Sequence, residues 1–135
     1  MNEASILFVD QPVGTGYSYV ESNDLFTNTT EEIAEDLYVC VKTFLEAFPD
    51  FQTVPLYIFG QSYGGKMGAA AIRRFYNGVE EGDVTMNIAG LAMGNSWIHP
   101  VDSTINWGPL LYYMVRPSAY VYTHNPSITK SSLIS

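Results

Sequence analysis

Three short apolar runs dictate what this chain can become: Ser5-Ile6-Leu7-Phe8-Val9, Pro55-Leu56-Tyr57-Ile58-Phe59 and Asn87-Ile88-Ala89-Gly90-Leu91-Ala92-Met93. Each is too short for a core helix and breaks off at Asp10, Gly60 or Gly94. Uninterrupted apolar runs of this kind read as strands covered on both faces of a sheet. The stretches between them carry helix signals, so the predicted order is strand, helix, strand, helix, strand. Such crossovers make neighbouring strands parallel, which gives an α/β fold with an incomplete sheet. Ligands of these folds bind outside the carboxyl ends of the strands.

The first helix is predicted from Thr29. Thr29 and Glu32 fit a capping box, and Glu31, Glu32, Glu35 and Asp36 crowd the first two turns, where the helix dipole favours negative charge. These acids are read as a solvated face. Ile33, Leu37, Val41, Phe44 and Phe48 make one apolar stripe, Pro49 stops it, and Cys40 is expected as a small buried thiol. The second helix runs through Ala69-Ala70-Ala71-Ile72 to Phe75, with Asn77-Gly78 as its C-cap. Residues 11–28 form a long Gly/Ser/Thr/Asn-rich loop of the kind that usually serves function. From Arg116 onward Ser, Thr and Pro accumulate without periodicity. Residues 1–115 are therefore expected as a partial α/β core, and 116–135 as a poorly ordered tail.

A chain of 135 residues, 47% hydrophobic and 15% charged, can bury one real core. Six Lys+Arg against fourteen Asp+Glu give a net charge of −8, which repels phosphate backbones and anionic lipid. Nucleic-acid partners and polybasic membrane roles are excluded on that ground. No apolar run approaches a membrane span, and Met1-Asn2-Glu3-Ala4 opens with an acid, so no signal peptide is read here. No Cys/His set has zinc spacing, so neither metal nor cofactor is expected. Gly14-Thr15-Gly16 lacks the third glycine and the Lys-Ser/Thr ending of a phosphate loop. Asn28-Thr29-Thr30 is a glycosylation sequon at a loop end, whereas Asn125-Pro126-Ser127 is excluded by its proline. Nothing in the composition fixes an oligomeric state.

Chemistry concentrates at Gly60-Gln61-Ser62-Tyr63-Gly64-Gly65. This is a G-x-S-x-G pattern directly after a strand and before a helix, the context of a nucleophile elbow. A reversal sharp enough to lift a serine hydroxyl above the sheet forces strained backbone angles, which small neighbours tolerate. The helix that follows aims free N–H groups at developing negative charge, and the Tyr63 N–H is the candidate oxyanion donor behind Ser62. His99 and Asp102 follow the third strand. Their order after the serine is His then Asp, the reverse of the α/β-hydrolase order, so an internal triad is not favoured.

These residues resemble the serine carboxypeptidases of the α/β-hydrolase fold. Gly60-Gln61-Ser62-Tyr63-Gly64-Gly65 is similar to that family's G-E-S-Y-[AG]-G. Asp10-Gln11-Pro12-Val13-Gly14-Thr15-Gly16-Tyr17-Ser18-Tyr19 is similar to its D-x-P-x-G-x-G-[FY]-S-[YF], and Gly90-Leu91-Ala92-Met93-Gly94-Asn95-Ser96-Trp97 to its strand and G-N turn. Gly65-Lys66-Met67, Trp97–Ser103 and Trp107-Gly108-Pro109 look most like the retinoid-inducible branch. The resemblance implies Ser62 as nucleophile, Tyr63 as oxyanion donor and Gln61 at the site for the substrate's terminal carboxylate. It also implies a cleft wall carrying Gly14, Tyr17 and Tyr19, with Asp10 fixing that loop. Gln61 stands where the family usually has a Glu that pairs with another carboxylic acid and works best at acid pH. A Gly-rich oxyanion segment is expected upstream of this chain, and the catalytic Asp and His downstream of Ser135.

The expected function is thus that of a central slice of a secretory-pathway serine carboxypeptidase acting on peptide or protein C-termini. Acyl transfer or ester hydrolysis on the same scaffold, and an inert truncated product, are the alternatives.

Overall fold

A computed structural model describes residues 4–115 of the chain, which divides into two units, Met1–Ser96 and Trp97–Ser135. The first contains α1 (Thr30–Ala47), β1 (Pro55–Gln61), α2 (Tyr63–Glu80) and β2 (Asn87–Gly94), with short 3-10 turns at Asn23–Leu25 and Pro49–Phe51. The second contains α3 (Pro100–Val115) among its described residues. The tail expected over 116–135 lies outside them.

The cap of α1 forms as predicted. The Thr29 side chain accepts from the Glu32 N–H, and the Glu32 carboxylate accepts from the Asn28 and Thr29 N–H groups at 2.6 and 3.1 Å. These bonds hold the Glu32 carboxyl below its ordinary range, the Asn28 N–H contributing most. The buried face is turned from the predicted stripe. It consists of Ile33, Ala34, Tyr38, Val41 and Leu45, while Leu37 and Phe44 are half-buried and Phe48 is exposed at the C-cap. Cys40, expected inside, is exposed as well. The reason is that Tyr38, outside the predicted stripe, places its ring in the core and its hydroxyl on a partner.

That partner is Asp83. The Tyr38 hydroxyl donates to Asp83 at 2.5 Å, Lys42 pairs with the same carboxylate at 2.5 Å, and the Arg74 guanidinium stacks 3.7 Å over the Tyr38 ring while gripping Glu35 at 2.5 Å. Glu32 and Glu35 are therefore structural acids, not members of a purely solvated face. Contacts of 35 with 74, 38 with 78 and 42 with 83 rise together, so α1 and α2 run parallel. Helix α2 continues through Asn77-Gly78, the predicted C-cap, to Glu80. Gly78 is kept small because a Cβ there would overlap the Tyr38 ring, and the positive φ past the helix end falls instead on Gly82, at 72°.

Burial pushes the Tyr38 hydroxyl up to about 12, and the Asp83 carboxylate adds to the shift. The unfolded chain therefore loses this proton first, so stability is fully present below pH 10 and falls between 10 and 12. A two-unit difference corresponds to roughly 2–3 kcal/mol. Tyr38→Phe should flatten the stability–pH curve in that window, as read by urea unfolding at pH 9 and pH 11.

β1 and β2 pair in parallel, from Pro55 with Asn87 to Gln61 with Gly94, with an irregularity at Leu56/Tyr57. Gly90 lies against the Tyr57 ring, where a Cβ would be crowded at 3.2 Å. Leu56, Ile58 and Ile88 join the core under α2, and Gly68 lets that helix approach Leu91 and Ile58 closely. The core is completed by Ala71, Phe75 and Met86. The opposite face of the sheet, with Tyr57 and Phe59, is exposed, Phe59 by 80%, so these strands are covered on one face where two were expected.

Ser5–Val9 does not form the strand predicted for it: it carries no ladder, and Phe8 is 88% exposed. An apolar run becomes a strand only when a neighbouring edge takes up its backbone groups. Among the described residues the sheet has two strands.

Helix α3 has no counterpart in the sequence expectations. Pro109 lies within this helix. The overlooked signal was Pro100 at the first helical position, where a missing N–H is harmless, with Asp102 in the first turn. The His99 carbonyl accepts from the Ser103 N–H, and His99 Nδ1 lies 2.8 Å from the Asp102 carboxylate.

Candidate active site

Gln61 ends β1 and Tyr63 begins α2, so the whole strand-to-helix reversal falls on Ser62. Its backbone sits at φ 55°, ψ −120°, a conformation that L residues rarely adopt. The strain thus lies on the serine itself, not on the flanking glycines. They serve close approach instead: a Cβ at Gly60 would overlap the Gly64 carbonyl, and one at Gly65 would overlap Ser96. Gly64 faces open space.

Three interactions hold this bend. The Ser62 N–H donates to the Gly94 carbonyl at 3.0 Å, continuing the β1–β2 ladder one residue past the strand. The Ser62 carbonyl accepts from the Gly65 N–H at 3.2 Å, which closes the first turn of α2. The Lys66 ammonium lies 5.6 Å from the Tyr63 ring. Ser62 is exposed, and its hydroxyl makes no capping bond to the helix behind it. The Tyr63 and Gly64 N–H groups at the head of α2 have no acceptor within the helix. A free hydroxyl therefore stands beside unspent backbone donors at the positive end of a helix dipole, an arrangement suited to an attacking alkoxide and the oxyanion it creates. A shallow depression of about 440 Å³, lined by Phe59, Gly60, Gln61, Ala92, Met93 and Gly94, opens at the same carboxyl edge.

The loop expected to wall the cleft is built around Asp10, as its fixing role requires. The Asp10 carboxylate accepts from the Tyr17 N–H and its carbonyl from the Ser18 hydroxyl, each at 2.8 Å. Gly14 adopts φ 92° over the Phe26 ring, and Gly16 adopts φ 54° against the Asp10 carboxylate. Gln11, whose bond to Pro12 is cis, donates to the Ile33 carbonyl at 2.7 Å and ties the loop to α1. The Tyr17 and Tyr19 rings are 97% and 81% exposed. No hydrogen bond or ring contact joins Gly14, Tyr17 or Tyr19 to the elbow among the described residues. Asn28 is exposed beside the α1 cap, its Nδ2 donating to the Phe26 carbonyl at 3.0 Å. No cluster of three His, Cys, Asp or Glu among the described residues could hold a metal ion, and no helix among them is long and apolar enough to cross a membrane.

The contribution of β2 to the elbow was not foreseen. Gly94-Asn95-Ser96 read only as a turn, though its place at a strand's carboxyl end was a usable signal.

The sequence pattern of the family described as Serine carboxypeptidase matches residues 1–132. Retinoid-inducible serine carboxypeptidase of Mus musculus is 50% identical over 111 residues, which is 82% of this chain and 25% of that protein. Serine carboxypeptidase-like 51 of Arabidopsis thaliana is 37% identical over 118 residues, 86% of this chain and 26% of that protein. Pheromone-processing carboxypeptidase kex1 of Schizosaccharomyces japonicus is 34% identical over 112 residues, 83% of this chain and 20% of that protein. The chain thus spans about a quarter of the length of these curated relatives.

Proposed function

This chain belongs to the serine carboxypeptidase family, and from that premise we propose that it carries the nucleophile segment of a secretory-pathway enzyme that removes residues from peptide C-termini. The observation that supports this most directly is Ser62 at φ 55°, with an exposed hydroxyl between a parallel strand and the head of a helix. Ser62 Oγ attacks the carbonyl carbon of the last peptide bond, and the oxyanion forms against the Tyr63 N–H. The bond to nitrogen breaks, the C-terminal residue leaves as the protonated amine, and water hydrolyses the acyl-serine. We assign the proton relay to an Asp and a His outside this chain, as the family resemblance implies. Gln61 contributes to the pocket for the substrate's carboxylate, Gly14, Tyr17 and Tyr19 wall the cleft, and the surrounding scaffold is an α/β-hydrolase. Asn28, exposed next to α1, carries an N-glycan.

A chimera in which this segment replaces the matching quarter of the mouse relative tests the reading. Release of the C-terminal residue from an acyl-dipeptide, and none from its C-terminal amide, supports it. Ester cleavage without release makes the scaffold an esterase or acyltransferase instead. No turnover, with no fluorophosphonate adduct on Ser62, leaves an inert product.

Gln61 gives a separate expectation. An amide donates at every pH, whereas a carboxyl does so only when protonated. Gln61→Glu in the chimera should therefore raise KM for free-carboxylate substrates as pH rises from 4 to 7, while the Gln61 form changes little. Identical KM–pH profiles would show that Gln61 is a packing residue.

A further inference from the structure

Two non-glycine residues among those described have positive φ: Ser62 at 55° and Asn95 at 46°. They stand at the same level on adjacent strands, because Gln61 pairs with Gly94 and each strained residue comes next in its chain. Between them lies the one bond from the Ser62 N–H to β2, accepted by the Gly94 carbonyl at 3.0 Å. We propose that the Gly94-Asn95-Ser96 turn is a buttress that positions Ser62, with Asn95 and Ser96 as its positioning residues. The proposal rests on the nucleophile reading of Ser62.

Asn95 tolerates the left-handed region better than most side chains, and its conformation turns the chain back immediately after Gly94. That turn brings Ser96 onto the first turn of α2, where its Cβ and Oγ occupy the space that a Cβ on Gly65 would need. The Ser96 hydroxyl lies 3.5 Å from the Gly94 carbonyl, and Ser96 itself is half-buried. Gly65 in turn donates to the Ser62 carbonyl. The bend is thus held at its N–H by Gly94 and at its carbonyl by Gly65, against which Ser96 packs. Strain of this kind persists only where the surroundings over-determine it, and this turn supplies the surroundings on the β2 side.

Hydrogen exchange at the Ser62 amide reads the buttress in the 135-residue chain itself. The Ile58 amide, on the same side of β1, gauges global opening. Asn95→Val should speed Ser62 exchange relative to Ile58 by roughly tenfold or more, because a β-branched residue resists positive φ. Asn95→Gly should leave the ratio within about threefold. Gly65→Ala should raise it as Asn95→Val does, and adding Ser96→Gly should restore it by reopening the space, a non-additivity expected only of touching residues. Unchanged ratios in Asn95→Val and Gly65→Ala, or no recovery in the double variant, overturn the proposal. In the chimera, where the mouse relative supplies the proton relay, the maximal rate of fluorophosphonate labelling should follow the same order while the half-saturating probe concentration holds. Equal rates in all variants would overturn the positioning role. A wild-type Ser62 that is protected from exchange in the chain yet never labelled in the chimera would sink the carboxypeptidase reading and leave the buttress standing.

Discussion

Ser62→Ala in the chimera is expected to lower kcat for release of a C-terminal residue by roughly ten-thousand- to million-fold, with KM within a few-fold. The hydroxyl is the atom that forms the acyl bond, and what survives its loss is only the catalysis that binding and oxyanion donors give on their own. The backbone makes a second substitution more informative. A residue at φ 55°, ψ −120° carries strain worth roughly 1–3 kcal/mol that glycine does not feel. Ser62→Gly should therefore be as inactive as Ser62→Ala yet melt higher than the unsubstituted protein. Steady-state hydrolysis with thermal unfolding of all three proteins separates the effects. More than about a hundredth of the activity left in both variants would remove Ser62 from the chemistry. A Ser62→Gly form that melts lower would mean that the bend is not strained.

The elbow was legible because sterics write it into the sequence. A strand meeting a helix without a connecting loop needs small residues where backbones touch, and Gly60 and Gly65 are those residues. The capping box of α1 was legible for the same reason, being a bond between residues three apart. What escaped depends on partners distant along the chain. Tyr38 became a core residue because Asp83, 45 residues on, takes its hydroxyl. That burial rotated α1 about its axis and turned Cys40 outward. Ser5–Val9 has the composition of a strand, but composition cannot supply an edge to pair with. Asn95 was passed over because asparagine in a turn is ordinary, and only the register of β1 on β2 shows that its strain lies next to that of Ser62.

Phe75→Ala should cost about 3–5 kcal/mol, the range for removing a buried aromatic ring, and should leave the 135-residue chain largely unfolded at 37 °C. Phe75 is buried where α1, α2 and the sheet meet, its ring 6.1 Å from that of Tyr38 and in one cluster with Ala34, Val41, Leu45, Ala71 and Met86. A core this small cannot close over the lost ring, since both helices are already pinned by the Tyr38–Asp83 and Arg74–Glu35 bonds. Phe59→Ala provides the contrast. That ring is the same size but lies on the uncovered face of the sheet, so its removal from the isolated chain should change stability by about 0.5 kcal/mol or less. In the chimera the ordering should change. If the remaining three-quarters of the protein covers this face, as the apolar character of Tyr57 and Phe59 requires of a parallel sheet, Phe59→Ala should approach the cost of Phe75→Ala. Urea unfolding of both variants in both settings gives four numbers. A large Phe59 effect in the isolated chain would mean that its exposed face is already covered, and a negligible one in the chimera that the sheet stays open to solvent in the longer protein.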